Sequence, residues 1–176
     1  KKKSKKNKIK KKKKKKIIKI TGQKELKAKN ISIAGDPSAA SIIGSAALIT
    51  PESEIKIMKV NINKTRTTFF NILKKMNAKI NISNKKRISN EQVGDITFKS
   101  SNLKGVHLGK ETVANMIDEI PIFSVLAAFA KGNSSFSGGN ELRNKESDRI
   151  KSLYEGLTTC KIKVKKKNDG LKITEN

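Results

Sequence analysis

Apolar residues recur along the chain at two spacings, and each change of spacing marks an element boundary. Ile17, Ile18 and Ile20 predict a short strand, and Ile31 and Ile33 predict another by alternating with polar neighbours until Gly35-Asp36-Pro37 breaks the run. Asp36 is a good helix N-cap and Pro37 suits the first helical position, so Ala39, Ala40, Ile43, Ala46, Ala47 and Leu48 predict an apolar helix that Pro51 closes. Ile55, Ile57 and Val60 follow as a strand. Asn63 to Thr68 lead into a second helix with Phe69, Phe70, Ile72, Leu73 and Met76, and strands are expected at 78–82 and around Ile96 and Phe98.

The same order then recurs. Val106 and Leu108 open it, and one helix is expected to carry Met116 and Ile117 through Asp118-Glu119-Ile120-Pro121 to Ala130, ending at Gly132. A weak strand at 134–137, a helix over 145–157 and strands around Ile162 and Leu171 complete it. Laying Pro37 on Pro121, Ile55 on Phe136, and Met76-Asn77-Ala78-Lys79-Ile80 on Cys160-Lys161-Ile162-Lys163-Val164, gives a period of about 81 to 84 residues. The expected organisation is a lysine-rich tail or hairpin at 1–20 and two βαβαββ units at 21–104 and 105–176. Such a unit leaves apolar helix surface uncovered by itself, so copies must stack to complete a core.

Composition sharpens this picture. Fourteen of the 41 basic residues lie in the first 20 positions, which hold no acid, leaving 27 basic against 15 acidic residues elsewhere. No aromatic side chain is interleaved in the tract to stack on bases, so a solvated charge run explains it without a nucleic-acid partner. With aromatics at 4% and no Trp, an aliphatic core of Ile, Leu, Val and Ala is expected. No apolar run reaches the roughly 18 residues of a membrane span, and no secretory signal pattern is present. A single Cys, Cys160, excludes an intrachain disulfide and a Cys-based metal site, and fits the reducing cytoplasm. At the end of a helix, Cys160 reads as a small core hydrophobe, and the lone His107 as a structural or exposed strand residue.

Charge chemistry concentrates at Glu141 to Arg149. If a helix begins near Lys145, then Lys145 and Arg149 stack four residues apart with Glu146 beside them, forming an anion site next to a carboxylate able to move a proton. A plain surface cap with i,i+4 pairs is the competing reading. Asp118-Glu119 is a second acidic candidate, either functional or capping the helix after Pro121.

Five segments, Gly35-Asp36-Pro37-Ser38, Asn63-Lys64-Thr65-Arg66-Thr67, Ser100-Ser101-Asn102-Leu103-Lys104-Gly105, Asp118-Glu119-Ile120-Pro121 and Glu141-Leu142-Arg143-Asn144-Lys145-Glu146-Ser147-Asp148-Arg149-Ile150, resemble in order and spacing the middle-to-late part of the 5-enolpyruvylshikimate-3-phosphate synthase family. The resemblance covers residues 21–176. It implies an α/β fold of repeated βαβαββ units of the inside-out barrel type, here incomplete. It also implies transfer of the enolpyruvyl group of phosphoenolpyruvate to the 5-hydroxyl of shikimate 3-phosphate, with release of phosphate and without cofactor or metal. Carried across, the family pattern makes Asp118 the proton acceptor, Glu146 the proton donor, Lys145 a ligand of the shikimate substrate and Arg149 a ligand of phosphoenolpyruvate.

The chain departs from the family where Ala39 replaces a second Ser, Lys64 a Pro, Thr68 a Gly, Asn144 an apolar residue, and Cys160-Lys161 a Leu-Gly pair. The family's Lys-Ser loop, Asn-Ala-Gly-Thr and Ser-Ala-Gln segments, and late Asp-His-Arg and Lys, have no counterpart here. An internal-to-late fragment without turnover of its own is therefore expected, with the remainder of the enzyme as a partner. Two other functions compete: a sister enzyme acting on UDP-N-acetylglucosamine, which the Lys145 to Arg149 run disfavours, and a basic nucleic-acid-binding module.

Overall fold

The structure, a computed structural model, describes residues 27–145 and 147–175. The lysine tract, the strand expected at Ile17 to Ile20 and the candidate Glu146 lie outside the described residues. Ile31–Asn176 form one compact unit. Before it, residues 27–30 are exposed and without regular structure.

The chain after Gly35 runs through α1 (Pro37–Ile49), β1 (Glu54–Asn61), a 3-10 turn at Lys64–Arg66, α2 (Thr68–Lys75), β2 (Lys79–Ile88) and β3 (Glu91–Lys99). β3 lies between β1 and β2, antiparallel to both, and Gly35 bridges in parallel to Val60 at the free edge of β1. The second half repeats this order: β4 (His107–Leu108), α3 (Lys110–Ala114), a 3-10 turn at Ile117–Glu119, α4 (Ile120–Ala128), β5 (Ser134–Phe136), a 3-10 turn at Asn140–Asn144, α5 (Arg149–Thr159), β6 (Lys163–Lys167) and β7 (Gly170–Thr174). β4 pairs in parallel with β5, and β7 sits between β5 and β6, antiparallel to both. Each sheet therefore has the same strand order and sense.

Local chemistry explains the shared form. Asp36 caps α1 by accepting from the Ala39 N–H at 2.9 Å, with Pro37 at the first helical position. Both outer helices end in a Schellman motif. Ala78 N–H donates to Leu73 O and Asn77 N–H to Lys74 O after α2, while Ile162 N–H donates to Leu157 O and Lys161 N–H to Thr158 O after α5. The left-handed residues of these turns are Asn77 (φ 65°) and Lys161 (φ 62°). Buried positions set the register of the inner helices: Ala40, Ser41 and Gly44 of α1 match Phe123, Ser124 and Ala127 of α4, and Ser41 and Ser124 each donate to the carbonyl four residues back. The offset is thus 83, and Pro37 corresponds to Ile120 rather than to Pro121.

α1 and α4 pack against each other and on their own sheets, α2 on β2, and α5 on β6 and β7. Gly44 lets α1 approach β3, since a Cβ there would stand 2.5 Å from the Phe98 ring. The core is less aliphatic than the composition implies. Phe69, Phe70, Phe98, Phe123 and Phe136 are all buried, so five of the six Phe side chains fill it. The two sheets differ in regularity. Register shifts interrupt β1 between Ile57 and Val60 and β2 between Ser83 and Lys86, and Asp95 on β3 ties both, accepting from the Lys59 N–H at 3.1 Å and the Asn84 amide at 2.7 Å.

Four other expectations are corrected. Ile31 and Ile33 form no strand and are 70% and 90% exposed, because among the described residues the pairing on that side is limited to the single bridge at Gly35. Met116 to Ala130 is not one helix: Met116 precedes a 3-10 turn at Ile117–Glu119, and α4 follows over Ile120–Ala128, since Pro121 lacks the N–H that would continue a helix through it. The helix over 145–157 begins instead at Arg149, where Asp148 caps it by accepting from the Lys151 N–H at 3.0 Å. Cys160 is exposed, because it is the C-cap of α5 and faces outward where the chain turns.

Candidate active site

The starts of α1, α4 and α5 and of the Lys64–Arg66 turn come together at one end of the fold. Asp118 stands in the 3-10 turn before α4, and its Oδ1 lies 3.7 Å from Lys145 Nζ and 3.5 Å from Arg149 Nη1. Twenty-seven positions separate Asp118 from Lys145 in sequence, and the repeat closes that gap. Lys145 does not stack on Arg149 along a helix. It is extended (φ −82°, ψ −167°) between the Asn140–Asn144 turn and Ser147, and both cations reach Asp118 from the connection into α5.

That connection is anchored on both sides. Arg143 Nη1 meets Asp148 Oδ2 at 2.7 Å and Arg143 Nη2 donates to Asn168 O, while Gly138 N–H donates to the Asp169 side chain and Gly139 N–H to the Asp169 carbonyl, each at 2.7 Å. The Lys151 N–H and the Arg143 guanidinium hold the Asp148 carboxyl below the usual carboxylate range. The triad it supports remains wet. Asp118 is 61% exposed and Lys145 and Arg149 about a third, so their pairing contributes at most about 1 kcal/mol to stability and leaves the charges available to a ligand.

In a neighbouring set of residues, sequence reasoning gave Ser38 and Arg66 no role and read Asp36 as a helix cap and Glu119 as one of an acidic pair. Arg66 Nη2 donates to Asp36 Oδ1 and to Ser38 Oγ, both at 3.2 Å, and Ser38 donates to the Glu119 carboxylate. The signal was present, since these residues belong to three of the five segments that carried the resemblance. A fourth, Ser100 to Gly105, lies at the far end of the inner helices. There Ser101 N–H donates to Leu48 O, Lys104 N–H to Met76 O and Gly105 N–H to Lys131 O, tying the halves together. A Cβ on Gly105 would fall 2.3 Å from Asn133 O. The same segment borders a concavity of about 660 Å³, remote from Asp118, with Pro51, Phe129 and Glu175 on its walls. Among the described residues there is no His, Cys, Asp and Glu cluster able to hold a metal ion. His107 Nδ1 lies 3.0 Å from Ser135 Oγ within its sheet.

Two repeats of one order of helices and strands, with inner helices packed together and a carboxylate between two cations at their N-terminal end, make up an enolpyruvyl-transferase fold. An enolpyruvyl transferase from Streptomyces tendae, NikO, shares it with a TM-score of 0.55 at 14% identity over 81% of this chain and 31% of that one, a likeness of fold alone. The chain belongs to the EPSP synthase (3-phosphoshikimate 1-carboxyvinyltransferase) family, whose model matches residues 3–176. EPSP synthase from Acinetobacter baumannii superposes with a TM-score of 0.80 at 36% identity, over 84% of this chain and 33% of that one. The 3-phosphoshikimate 1-carboxyvinyltransferases of Caulobacter vibrioides and Petrotoga mobilis are 44% and 43% identical over 153 residues, 87% of this chain in each case and 34% and 35% of theirs. The chain thus spans about a third of the length of these curated relatives. Among the described residues no helix is long and apolar enough to cross a membrane.

Proposed function

We propose that this chain supplies part of the substrate site of a cytoplasmic 3-phosphoshikimate 1-carboxyvinyltransferase, which moves the enolpyruvyl group of phosphoenolpyruvate to the 5-hydroxyl of shikimate 3-phosphate and releases phosphate. The observation that carries the reading is the Asp118 carboxylate held between Lys145 Nζ and Arg149 Nη1. Both substrates are polyanions, so cations must hold them. A planar guanidinium suits the carboxylate or phosphate of phosphoenolpyruvate, and Lys145 is a point charge for the shikimate substrate. When the substrates claim these two cations, Asp118 is left facing the hydroxyl whose proton must go, while Glu146, one residue from Lys145, gives a proton to the methylene carbon and later recovers it. The same reading divides the chain into a lysine-rich stretch at 1–20 and βαβαββ units at 21–104 and 105–176. It also requires the remainder of the enzyme, because addition and elimination need both substrates enclosed away from water.

Calorimetric titration of the 176-residue chain with shikimate 3-phosphate, UDP-N-acetylglucosamine and a short DNA duplex in one buffer tests this. Weak binding of shikimate 3-phosphate is expected, falling at least about tenfold in Lys145→Ala, which removes a charge-assisted contact to that substrate, and falling less in Arg149→Ala, whose guanidinium is assigned to phosphoenolpyruvate. Tighter binding of the sugar nucleotide or the duplex, or indifference to both substitutions, overturns it.

A further inference from the structure

The proposed chemistry uses two of the five segments that carry the family likeness, yet two more send side chains to the same end of the fold. Arg66 donates to both Asp36 and Ser38. A guanidinium has donors only, so the Ser38 hydroxyl hydrogen must turn away from it, and it points at Glu119 Oε1. Asp36 fixes the near end of this line because its other oxygen caps α1.

The register of the two units gives the line its meaning. At the inner helices' offset of 83, Asp36, the N-cap of α1, corresponds to Glu119, the N-cap of α4. In the first unit the N-cap acid pairs with Arg66 of the turn that leads into the outer helix, at 3.2 Å. By the same pattern Glu119 would face the cations at the entry to α5, Lys145 and Arg149. Instead Glu119 is turned across to Ser38 of the other unit, makes no capping bond to α4, and it is Asp118, one residue earlier, that lies 3.5 Å from Arg149 and 3.7 Å from Lys145.

We propose that Arg66, Ser38 and Glu119 are positioning residues, whose hydrogen-bonded line holds the Ile117–Glu119 turn so that Asp118, not Glu119, is the carboxylate presented to Lys145 and Arg149. Without the Ser38 bond two adjacent carboxylates, Asp118 and Glu119, compete for the same cations. Ser38 thereby couples the first unit to a site whose charged groups all lie on the second. The proposal rests on reading Asp118 as part of the substrate site, but its test needs no substrate, so the two can fail separately.

The test is acetic-anhydride footprinting of the 176-residue chain, with modification at Lys145 read by mass spectrometry against Lys151, whose partner Glu155 lies on α5 itself. In the parent chain Asp118→Asn is expected to raise the Lys145 rate about two- to fivefold, the range for an exposed ion pair, while Glu119→Gln leaves it unchanged. In a Ser38→Ala background the dependence moves, with the Asp118→Asn effect shrinking and a Glu119→Gln effect appearing. Ser38→Thr, which keeps the hydroxyl, retains the parent pattern and separates positioning from loss of packing. An Asp118→Asn effect of equal size with and without Ser38, no Asp118→Asn effect in the parent, or Ser38→Thr behaving as Ser38→Ala would each overturn the proposal.

Discussion

The two repeats, residues 35–99 and 107–174, solve one packing problem with different residues, and position by position the differences show which choices the fold demands. Where α1 carries Gly44 against Phe98 of β3, α4 carries Ala127, and the strand residue in the place of Phe98 is Ile173. A large ring takes a glycine opposite it, and a smaller chain leaves room for a methyl group. The first unit buries Ser45, whose hydroxyl has no partner, where the second has Ala128. After the outer helices, the first unit places Asn77 in a left-handed turn and the second places Lys161. The first sheet bends through two bulges held by Asp95, whereas β6 and β7 pair without a register shift. Secondary structure and topology are therefore shared, while volume, polarity and turn chemistry are settled locally.

Making each unit imitate the other tests this. The largest effect is expected from Gly44→Ala, where overpacking of about 1–3 kcal/mol against a fully buried ring exceeds the roughly 1 kcal/mol that alanine gains in helix propensity. Denaturant unfolding should show a net loss, reduced when Phe98→Leu is added. A neutral Gly44→Ala would break the volume argument. Ser45→Ala, which copies Ala128, should raise stability by up to about 1 kcal/mol by removing a buried hydroxyl that gains no bond. A loss there would mean that the hydroxyl has a partner.

Smaller effects refine the comparison at turns and bulges. Lys161→Gly should stabilise by about 0.5–1 kcal/mol, since a left-handed residue with a Cβ costs about 1–2 kcal/mol and glycine returns part of that through unfolded-chain entropy. Asn77→Gly should gain only a few tenths, because Asn tolerates that conformation. Equal shifts in melting temperature would dissolve the distinction. The Asp95 effect is confined to acid. Its carboxyl is held below the usual range first by the Asn84 amide, then by the Lys59 N–H and Lys56. A lowered native value contributes stability above the unfolded value, lost as pH falls below about 4 and through the native value. Asp95→Asn should therefore lower stability at neutral pH and flatten its fall in acid below about pH 4, as followed by circular dichroism.

Much of the fold was legible because it is local. The cap at Asp36-Pro37, the apolar faces of α1 and α2, the alternation in β1 and β3 and the recurrence of the whole order depend on side chains a few residues apart, and periodicity reports those. The likeness carried by five short segments likewise pointed to the family and to Asp118, Lys145, Glu146 and Arg149 as the residues to examine. What depended on distant partners was read wrongly or not at all. Lys145 was assigned to a helix because its neighbours favour one, but Asp148 is the better cap and moves the start to Arg149. Cys160 seemed a core residue by type, yet its place at the end of α5 exposes it.

By itself, then, the sequence determined the elements, their repetition and the chemical character of the site, since each follows from near neighbours and side-chain type. Only the tertiary structure decided which carboxylate meets which cation. Asp36 finds Arg66 thirty residues on, Glu119 finds Ser38 eighty-one residues back, and Asp118 finds Lys145 and Arg149 from beyond two intervening elements. Contacts between residues so far apart follow from stacking two inner helices with their starts at one end, and no periodicity within either unit encodes that.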